Sequence, residues 1–416
     1  MGKTNANDAA NEDLLIELGC EELPPKSLPG LAAALFEALS TRLSDAGLDF
    51  DAAASRMYYT PRRLAVVMRS VAYRQPDRVL DRKGPALAAA FDADGRPTKA
   101  ALGFARSVGK PVDALERFGN DQGEWLFSRV EQPGAALRDL LFPMLEKSLA
   151  ALPVTRPMRW ASHDFSFVRP VHWLVAMHGS DVIDGELFGH EAGNTTLGHR
   201  IHSSGPVTIE SAEQYESVLE SAHVVADAGR RRQLIEQQVT DLAAAAGHVA
   251  LLDDSLLDEV SNLVEWPVAL ACEFDPGFLD VPAEALIASM QDHQKFFPVT
   301  TADGSLTATF VAVANLESRD VNAVRKGFER VIRPRLADAR FFWDEDRRSD
   351  EEAWSKQLGQ LLFQKKLGSV GDKSKRIATV SKKIAEDCDI DPVAAERASR
   401  LCKCDLVSQM VNEFPE

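Results

Sequence analysis

Hydrophobic positions at the start of the chain follow two different spacings. Residues 13–20 (DLLIELGC) form a short apolar run that ends beside a glycine, which is typical of a buried strand. Leucine then recurs every fourth residue, which predicts a helix over residues 28–46 with one apolar face. Ser27 stands where a helix cap is favoured, and Gly47 stands where a helix commonly ends. The opening therefore predicts a strand followed by an amphipathic helix.

Partly alternating, valine-rich stretches predict further strands between the helical stretches. Residues 55–59 and 62–72 are expected to pair, with Thr60-Pro61 between them. The other predicted elements are helices near 98–107, near 134–150 and within 211–246, and strands at 124–130, 170–179, 181–189, 196–210, 268–274 and 306–315.

These elements group into three domains behind a polar lead. Residues 1–12 are small and polar, so they predict a disordered lead that lacks the apolar centre of a secretory signal. Residues 13–153 predict one α+β domain and residues 154–335 a second. Residues 336–416 keep helical spacing. A chain of 416 residues has room for about three domains, so the predicted fold class is multidomain α+β.

Charge is distributed unevenly over an acidic protein. The chain has a net charge of −16, which argues against a generic nucleic-acid coat protein. Residues 325–383 nevertheless hold 16 Lys and Arg against 9 Asp and Glu, so this stretch carries +7 and the remainder −23. A local excess of this kind is expected where RNA contact is confined to one face. Because acidic residues are interleaved there, a solvated helical surface is the alternative.

The candidate RNA-binding residues are cations of this basic stretch. One group lies in its first part, and a second group follows behind it. They are Arg325, Lys326, Arg330, Arg333, Arg335 and Arg340, and then Lys365, Lys366, Lys373, Lys375 and Arg376.

Other sequence features limit the function classes. No stretch has the roughly 18 to 20 uninterrupted apolar residues of a membrane span. Five scattered cysteines are typical of reduced thiols, so the predicted location is the cytoplasm. The chain has no phosphate-binding glycine loop, dinucleotide fingerprint, nucleophile elbow or convincing aminoacyl-tRNA synthetase signature. We therefore expect no catalytic residue, metal site or cofactor in this chain, and no membrane or DNA partner.

Three motifs each allow a functional and a structural interpretation. In residues 291–298 (QDHQKFFP), two phenylalanines beside a histidine and a lysine suit stacking on unpaired bases, or the start of a buried strand. Arg and Trp stand close together in residues 156–160 and 169–173, which favours cation–π packing over a binding face. His199 and His202 lie in a predicted strand, where they would point to opposite faces and share no metal.

Ten blocks of sequence, in order along nearly the whole chain, carry a family resemblance. They are LLIELGCEELPP (14–25), TPRRLAV (60–66), KGP (83–85), MRW with FVRPVHW (158–173), LGHRIH (197–202), LVEWP (263–267), MQDHQKFFPV (290–299), FERVIRPRLADARFFWDED (328–346), KLGSVGDKSKRI (366–377) and LCKCDLVSQMVNEFPE (401–416). On these blocks the chain resembles the front part of the β subunit of the two-subunit bacterial glycyl-tRNA synthetase.

The resemblance implies a division of labour between two subunits. The smaller α subunit of that family is a class II catalytic unit that binds ATP, Mg²⁺ and glycine. The β subunit supplies most tRNA recognition, and together they attach glycine to its tRNA. The implied partners of this chain are therefore the α subunit and tRNA(Gly). Family β subunits are longer, so the chain is expected to be a fragment that ends inside a helical domain.

The resemblance also implies domain types and marks residues whose role stays open. The second domain is similar to the B3/B4 module of the phenylalanyl enzyme's β subunit, and the third is similar to the start of an HD-like helical domain. An editing hydrolase for mischarged tRNA is one alternative, although a glycine pocket already excludes alanine by size. An assembly scaffold is another. The motif residues of open role are Arg62, Arg63, Arg159, Arg169, His172, His293, Lys295, Phe296 and Phe297.

Overall fold

The computed structural model describes residues 11–92, 94–120 and 123–415. The chain divides into two compact units between Ala222 and His223. Both units mix helices with sheets, so the architecture is multidomain α+β, as predicted. Ten residues of the predicted disordered lead, 1–10, lie outside the described residues, and Glu12 already begins the first strand.

The first unit contains strands and α-helices in mixed order. Its strands are β1 (Glu12–Cys20), β2 (Asp51–Thr60), β3 (Arg63–Val71), β4 (Arg78–Ala86), β5 (Glu116–Asn120), β6 (Gly123–Gln132), β7 (Val171–His178), β8 (Asp181–Val182), β9 (Glu186–Leu187), β10 (His190–Gly193), β11 (Thr195–Leu197) and β12 (Pro206–Thr208). Its α-helices are α1 (Leu28–Asp45), α2 (Leu87–Ala90), α3 (Lys99–Ser107), α4 (Leu137–Ala150) and α5 (Tyr215–Ser221).

The main sheet of the first unit is built around β1. Its described strands run in the order β2-β3-β1-β7-β10-β9, and β8 pairs with the C-terminal end of β7. Neighbouring strands are antiparallel except for β7 and β10. Every residue from Leu14 to Cys20 is buried, because β1 has a strand on each side and packing on both faces. The predicted buried strand is therefore confirmed.

Helices α1 and α4 cover one face of this sheet. Alternate residues of β1, among them Leu14, Ile16 and Leu18, belong to a leucine-rich core shared with both helices. The predicted first helix is confirmed, and it ends before Gly47, which has a φ of +70°. Ser27 precedes the helix but makes no side-chain capping hydrogen bond, because Ser27 itself has helical backbone angles.

A smaller sheet stands apart from the main one in the first unit. Its strands run in the order β4-β6-β5 and are antiparallel. One face packs against α2 and α3 through Ala90, Ala101 and Leu126.

The second unit continues with helices around a four-stranded sheet. Its α-helices are α6 (Ala228–Ala245), α7 (Asp254–Ser261), α8 (Ala283–Ala288), α9 (Val321–Arg348), α10 (Glu351–Leu358), α11 (Val370–Asp387), α12 (Pro392–Leu401) and α13 (Gln409–Glu413). Its strands are β13 (Val249–Ala250), β14 (Val268–Glu273), β15 (Phe297–Thr300), β16 (Leu306–Ala314), β17 (Leu362–Gln364) and β18 (Gly368–Ser369).

Helices pack on both faces of the sheet in the second unit. Its strands run in the order β13-β15-β16-β14. Phe310 points to the face covered by α9. Phe297 and Val311 point to the face covered by α6 and α7. The predicted strands at 268–274 and 306–315 are confirmed with slightly shorter bounds.

The chain divides at a different position from the boundaries predicted at residues 153 and 335, which stay predictions. β7 follows the predicted boundary at residue 153, yet it pairs along its length with β1 from the other side of that boundary. Backbone pairing therefore ties residues 171–193 to the first unit. The predicted helical domain from residue 336 also begins inside α9, which starts at Val321. The B3/B4-like and HD-like assignments stay predictions.

The segment around His199 differs from the predicted strand. Only residues 195–197 and 206–208 are extended and paired, and a turn separates them. This turn brings the His199 and His202 rings together, with centroids 4.9 Å apart. The expectation that they point to opposite faces is therefore wrong. No cluster of three potential metal ligands occurs within the described ranges.

The helices give no sign of a membrane span. In the part of the chain that the structure describes, no helix combines the length and the apolar character needed to cross a bilayer.

Candidate nucleic-acid interface

Three of the predicted tRNA-binding cations share one exposed face of α9. Asp320 caps this 28-residue helix by accepting a hydrogen bond from the Ala323 backbone N–H at 3.0 Å. Lys326, Arg330 and Arg333 follow at spacings of four and three residues, which places them on one side of the helix. All three are exposed, and no carboxylate among the described residues lies within ion-pair distance of them. Their charges are therefore available to an external anion.

The buried side of α9 explains why this face is left in solvent. Ile332, Leu336 and Ala339 are fully buried in the core beside the sheet. A helix that buries one apolar stripe leaves the polar residues of its other side exposed. The basic face, defined here as Lys326, Arg330 and Arg333, is therefore fixed by the packing of the helix.

Arg325 and Arg335 lie outside the basic face. Arg325 is partly buried, and its Nη1 donates to Asn322 Oδ1 at 3.3 Å. Arg335 is exposed, but nine residues after Lys326 it points to the far side of the helix, roughly 180° away. A single ligand that lies along the basic face would therefore not contact both Arg325 and Arg335.

Arg340 is occupied by contacts within the protein. Its Nη1 donates to the Gly277 carbonyl oxygen at 3.1 Å. Its guanidinium also lies 3.7 Å from Asp280 and 3.9 Å from Asp344. These contacts hold α9 against residues 276–280, so the geometry indicates a structural role.

A cleft of about 490 Å³ adjoins the basic face where β14 ends. It is lined by Arg330 and Arg333 together with Glu273, Asp275 and Glu329, besides two phenylalanines. Because the sheet side of the cleft is acidic, the positive surface ends at the helix. An RNA backbone would therefore follow α9 and not enter the cleft.

The second group of predicted cations lies on a hairpin and on α11. Lys365 and Lys366 are exposed in the turn between β17 and β18. Lys373 Nζ lies 4.1 Å from the centroid of the Phe363 ring, a cation–π contact between α11 and the hairpin. Lys373 is therefore partly engaged, whereas the two turn lysines extend from the surface.

Lys375 and Arg376 follow on the first turns of α11. Asp372, which forms a capping box with Ser369, lies 3.7 Å from Lys375. Hydrogen bonds from Ser369 lower the pKa of Asp372 below its ordinary value, despite desolvation, and the charges of Lys375 and Arg376 add to this. Both cations therefore also stabilise the charged cap of their own helix.

The two phenylalanines of the QDHQKFFP motif are part of the core. Phe296 is 5% exposed and stacks on Phe310 with ring centroids 4.9 Å apart. Phe297 is fully buried in β15. Neither ring is accessible to a base, so the structure supports the buried-strand interpretation of this motif.

The polar residues of the same motif sit on an irregular segment. Residues 289–293 form one turn of π-helix, and Lys295 has a φ of +61°, which is uncommon for a residue with a side chain. Lys295 Nζ lies 3.0 Å from Glu259 Oε2, and both side chains are partly buried. His293 is exposed, and its ring centroid is 6.3 Å from that of Phe414. Lys295 therefore joins the motif to α7.

A buried polar network accounts for Arg63 in the first unit. Glu17 accepts hydrogen bonds from Trp173 Nε1, Thr196 Oγ1 and Tyr215 OH, and lies 3.3 Å from Arg63 Nη1. All are buried. Burial raises the pKa of Tyr215 well above its ordinary value, and the charge of Glu17 raises it further. The network connects the sheet to β11 and α5, so Arg63 is structural.

Trp173 is also the partner in the predicted arginine–tryptophan packing. The guanidinium carbons of Arg62 and Arg63 each lie 5.7 Å from its ring centroid. Cation–π packing on Trp173 therefore exists, but its arginines are Arg62, in the turn before β3, and Arg63, the first residue of β3, and not the neighbouring Arg169. Sequence proximity misidentified the partner because β1 brings distant segments together.

An exposed ionic cluster lies where the sequence blocks of the first unit meet. Glu21 lies 3.1 Å from both His172 Nε2 and Arg200 Nη2, and Arg200 also contacts Glu22 at 3.3 Å. Desolvation raises the pKa of Glu21, but the hydrogen bond and charge of Arg200, together with His172, lower it overall. Arg169 donates to the Glu22 carbonyl oxygen at 3.1 Å. His172 and Arg169 therefore belong to one surface.

Arg159 is exposed beside an aromatic cluster. Its neighbour Trp160 packs edge-on against Phe165, with ring centroids 5.1 Å apart. Trp160 is therefore held by other aromatic rings.

Glu17 and Tyr215 were not predicted from the sequence. The available signal for Glu17 was a single acidic residue within an otherwise apolar run, since a buried charge needs partners. Tyr215 offered no such signal, because its contact with β1 joins residues almost two hundred positions apart.

Comparison with known proteins agrees with the sequence resemblance. A family model described as "Glycyl-tRNA synthetase beta subunit" matches residues 14–416. The chain is 48% identical over 407 residues to a protein of Chromohalobacter salexigens named glycine–tRNA ligase beta subunit, covering 98% of the chain and 59% of that relative. Proteins of the same name from Hahella chejuensis and Marinobacter nauticus are each 46% identical over 98% of the chain and 58% and 59% of their own lengths.

The matches cover nearly all of the chain but only part of each relative. The chain spans somewhat less than three fifths of the length of these relatives. The family match itself covers all but the first 13 residues. The chain belongs to the glycyl-tRNA synthetase β-subunit family.

Proposed function

We propose that this chain is a non-catalytic part of a glycine–tRNA ligase. In this proposal it supports the ATP-dependent attachment of glycine to tRNA(Gly) in the cytoplasm. It contacts the tRNA and assembles with the catalytic α subunit, which binds ATP and Mg²⁺. Family membership supports the ligase assignment, and the unpaired cations of α9 support the RNA contact.

The basic face of α9 is the observation that carries the RNA contact. Lys326, Arg330 and Arg333 are exposed and have no ion-pair partner within the described ranges. When cations of this kind bind phosphates, they release the counterions that had condensed on the nucleic acid. The logarithm of the binding constant therefore falls linearly with the logarithm of the salt concentration. The remainder of the chain is acidic, so such contacts are confined to a small surface.

Salt dependence of tRNA binding tests this proposal. We expect Arg330→Gln combined with Arg333→Gln to reduce the slope of log Kd against log salt by roughly one to two. A matched control is Lys382→Gln with Lys383→Gln, which removes the same charge from two ion-paired lysines of α11. A slope changed equally by both double variants, or by neither, would contradict the assignment to α9.

Assembly with the α subunit is tested separately. We expect the chain and a purified α subunit of the same family to co-elute in size-exclusion chromatography. The Arg330 and Arg333 variants should co-elute equally well. Separate elution of the unsubstituted proteins at micromolar concentration would argue against the assembly role while leaving RNA binding testable.

A further inference from the structure

A pocket in the first unit has no role in the proposed tRNA contact. It has a volume of about 340 Å³ and lies between the end of α4, residues 165–167 and the turn between β9 and β10. Phe165, Phe167 and Phe188 line it, with Glu146 and Glu186 among the polar lining residues. Its size is at the lower end of the range typical of ligand pockets.

The aromatic rings of this pocket form one connected cluster. Phe188 lies 5.6 Å from Phe165, edge to face, and 5.1 Å from Phe167. The Trp160 ring packs beside them, with its centroid 5.1 Å from that of Phe165 and 6.2 Å from that of Phe188. Aromatic faces carry negative partial charge, so a set of rings around one space attracts an organic cation.

The turn that carries Phe188 departs from ordinary turn chemistry. Phe188 and Gly189 have φ values of +53° and +78°, as in the two-residue turns that join antiparallel strands. Glycine, asparagine and aspartate suit such angles, whereas a bulky side chain there is strained. Strain of this kind concentrates at ligand sites. Here it places a phenyl ring in the pocket.

The same hairpin holds a second locally unfavourable arrangement. Glu186 and Glu191 stand directly opposite each other on β9 and β10. Like charges at opposite positions of an antiparallel pair repel each other. Glu146, on the far side of the pocket, adds a third carboxylate. None of the three has an ion-pair partner in the part of the chain that the structure describes. A bound cation would relieve this repulsion.

The helix that lines the pocket favours a cation as well. Leu149 and Ala150 come from the last turn of α4, a helix of 14 residues, and Glu146 stands just before that turn. The C-terminal end of a helix carries partial negative charge. The aromatic faces, the carboxylates and the helix end therefore all favour positive charge at one place, although Lys147 in the last turn and Arg42, which donates to the Lys147 carbonyl oxygen at 3.1 Å, already compensate part of the helix end. They also disfavour the phosphates of RNA.

We propose that this pocket binds the side chain of an arginine that a partner protein presents. A guanidinium is planar, stacks on aromatic faces and pairs with carboxylates through two parallel hydrogen bonds. Phe188 provides an aromatic face, Phe165 provides the face that is not stacked on His163, whose ring centroid is 4.4 Å away, and Glu186 provides a carboxylate of the strained hairpin. The site is separate from the basic face of α9 and does not depend on tRNA contact.

Fluorine NMR on the whole chain tests this proposal. Incorporated 5-fluorotryptophan reports on Trp160, whose resonance is assigned with Trp160→Phe. We expect N-acetyl-arginine amide to shift this resonance saturably, with a dissociation constant on the order of millimolar. The matched N-acetyl-citrulline amide has the same shape without the charge and should give no saturable shift. Spermidine should bind more weakly than the arginine amide. Equal or tighter binding of spermidine, or binding of citrulline, would overturn the proposal.

Substitutions separate binding from folding. The double variant Glu146→Gln with Glu186→Gln should weaken arginine-amide binding about tenfold. The control Glu37→Gln makes one glutamate-to-glutamine change at an exposed site on α1 and should leave this binding unchanged. Phe188→Asn suits the positive φ, so the turn should form while the ring is lost. We expect an unchanged far-ultraviolet spectrum and at least fivefold weaker binding. Unchanged binding in either variant would exclude the pocket as the site.

Discussion

The indole ring of Trp173 lies where a side chain of residue 19 would have to be. Gly19 and Trp173 are opposite each other in the β1–β7 ladder. A Cβ on Gly19 would come within 1.8 Å of the ring carbon Cε2. The absence of a side chain at Gly19 allows the indole to cross β1 and donate its N–H to Glu17. One glycine thus makes room for the buried network.

Gly19→Ala should destabilise the first unit. The added methyl group cannot fit unless Trp173 moves, which also breaks its hydrogen bond to Glu17. We expect a loss of about 2 to 3 kcal/mol in the free energy of unfolding, measured by urea denaturation. Gly103→Ala is the control, because nothing lies within 4 Å of the added atom in α3 and helix propensity should raise stability by about 0.5 to 1 kcal/mol. Equal effects of both variants would contradict the packing argument.

Glu17→Gln should be among the most destabilising single changes in this unit. The substitution leaves the Arg63 guanidinium buried without its carboxylate, which typically costs about 3 to 5 kcal/mol. Thermal unfolding measures the difference. Asp81→Asn is the comparison, since its pair with Arg129 at 3.6 Å has both side chains more than 60% exposed. That change should cost less than about 1 kcal/mol. A small effect at Glu17 would mean that the network contributes little.

The ionic cluster around Glu21 should make stability depend on pH. The pKa of Glu21 is lowered in the folded state, so its contribution is present above the ordinary pKa and is lost as pH falls through the folded value. We expect the protein to unfold at a higher temperature than Glu21→Gln at pH 7, and this difference to shrink as the pH falls below the ordinary pKa of a glutamate. Because the cluster is exposed, the contribution of Glu21 to the free energy of unfolding should stay below about 1 kcal/mol.

A second variant checks the origin of that pH dependence. Glu37→Gln removes an exposed carboxylate of α1 that has no partner among the described residues. At pH 7 it should lower the unfolding temperature less than Glu21→Gln does, because no ion pair is lost. If both variants showed the same pH profile, the contacts of Glu21 with Arg200 and His172 would not be its cause.

The cysteines should differ sharply in their reaction with alkylating agents. Cys388 and Cys402 are exposed, whereas Cys20, Cys272 and Cys404 are buried. Burial, assisted by Glu329, raises the pKa of Cys272 to about 12, so its reactive thiolate is scarce at neutral pH. Brief treatment with iodoacetamide at pH 8, followed by mass spectrometry, should modify Cys388 and Cys402 first. Early modification of Cys272 would show that the core of the second unit opens readily.

Sequence patterns predicted local elements better than the contacts between them. The apolar run of β1 and the leucine stripe of α1 follow from spacing alone, because each buries a regular face. The pairing of β1 with β7 joins residues about 150 positions apart, and no local spacing encodes it. The same pairing crosses the boundary predicted at residue 153, which stays a prediction.

The candidate site was predicted only in part, for a similar reason. Charge counting identified the basic stretch, and Lys326, Arg330 and Arg333 do lie on an exposed face. It did not separate them from Arg340, whose contacts come from residues 276–280 and 344. The rings of Phe296 and Phe297 suited stacking by composition, but Phe297 is buried in β15 and Phe296, just before it, is buried in the core beside α9. Which side of an element faces the core is decided by tertiary packing.

The central place of β1 has a consequence for synthesis on the ribosome. The partner strand β3 emerges soon after β1, but β7 begins only at Val171, roughly 150 residues after the end of β1. At 5–20 residues per second, these residues take about 8 to 30 s to translate. Until then one edge of a strongly apolar strand lacks its neighbour, and Glu17 lacks Trp173, Thr196 and Tyr215. The nascent chain therefore passes through a long interval in which this edge must be shielded, by the ribosome surface or by a chaperone.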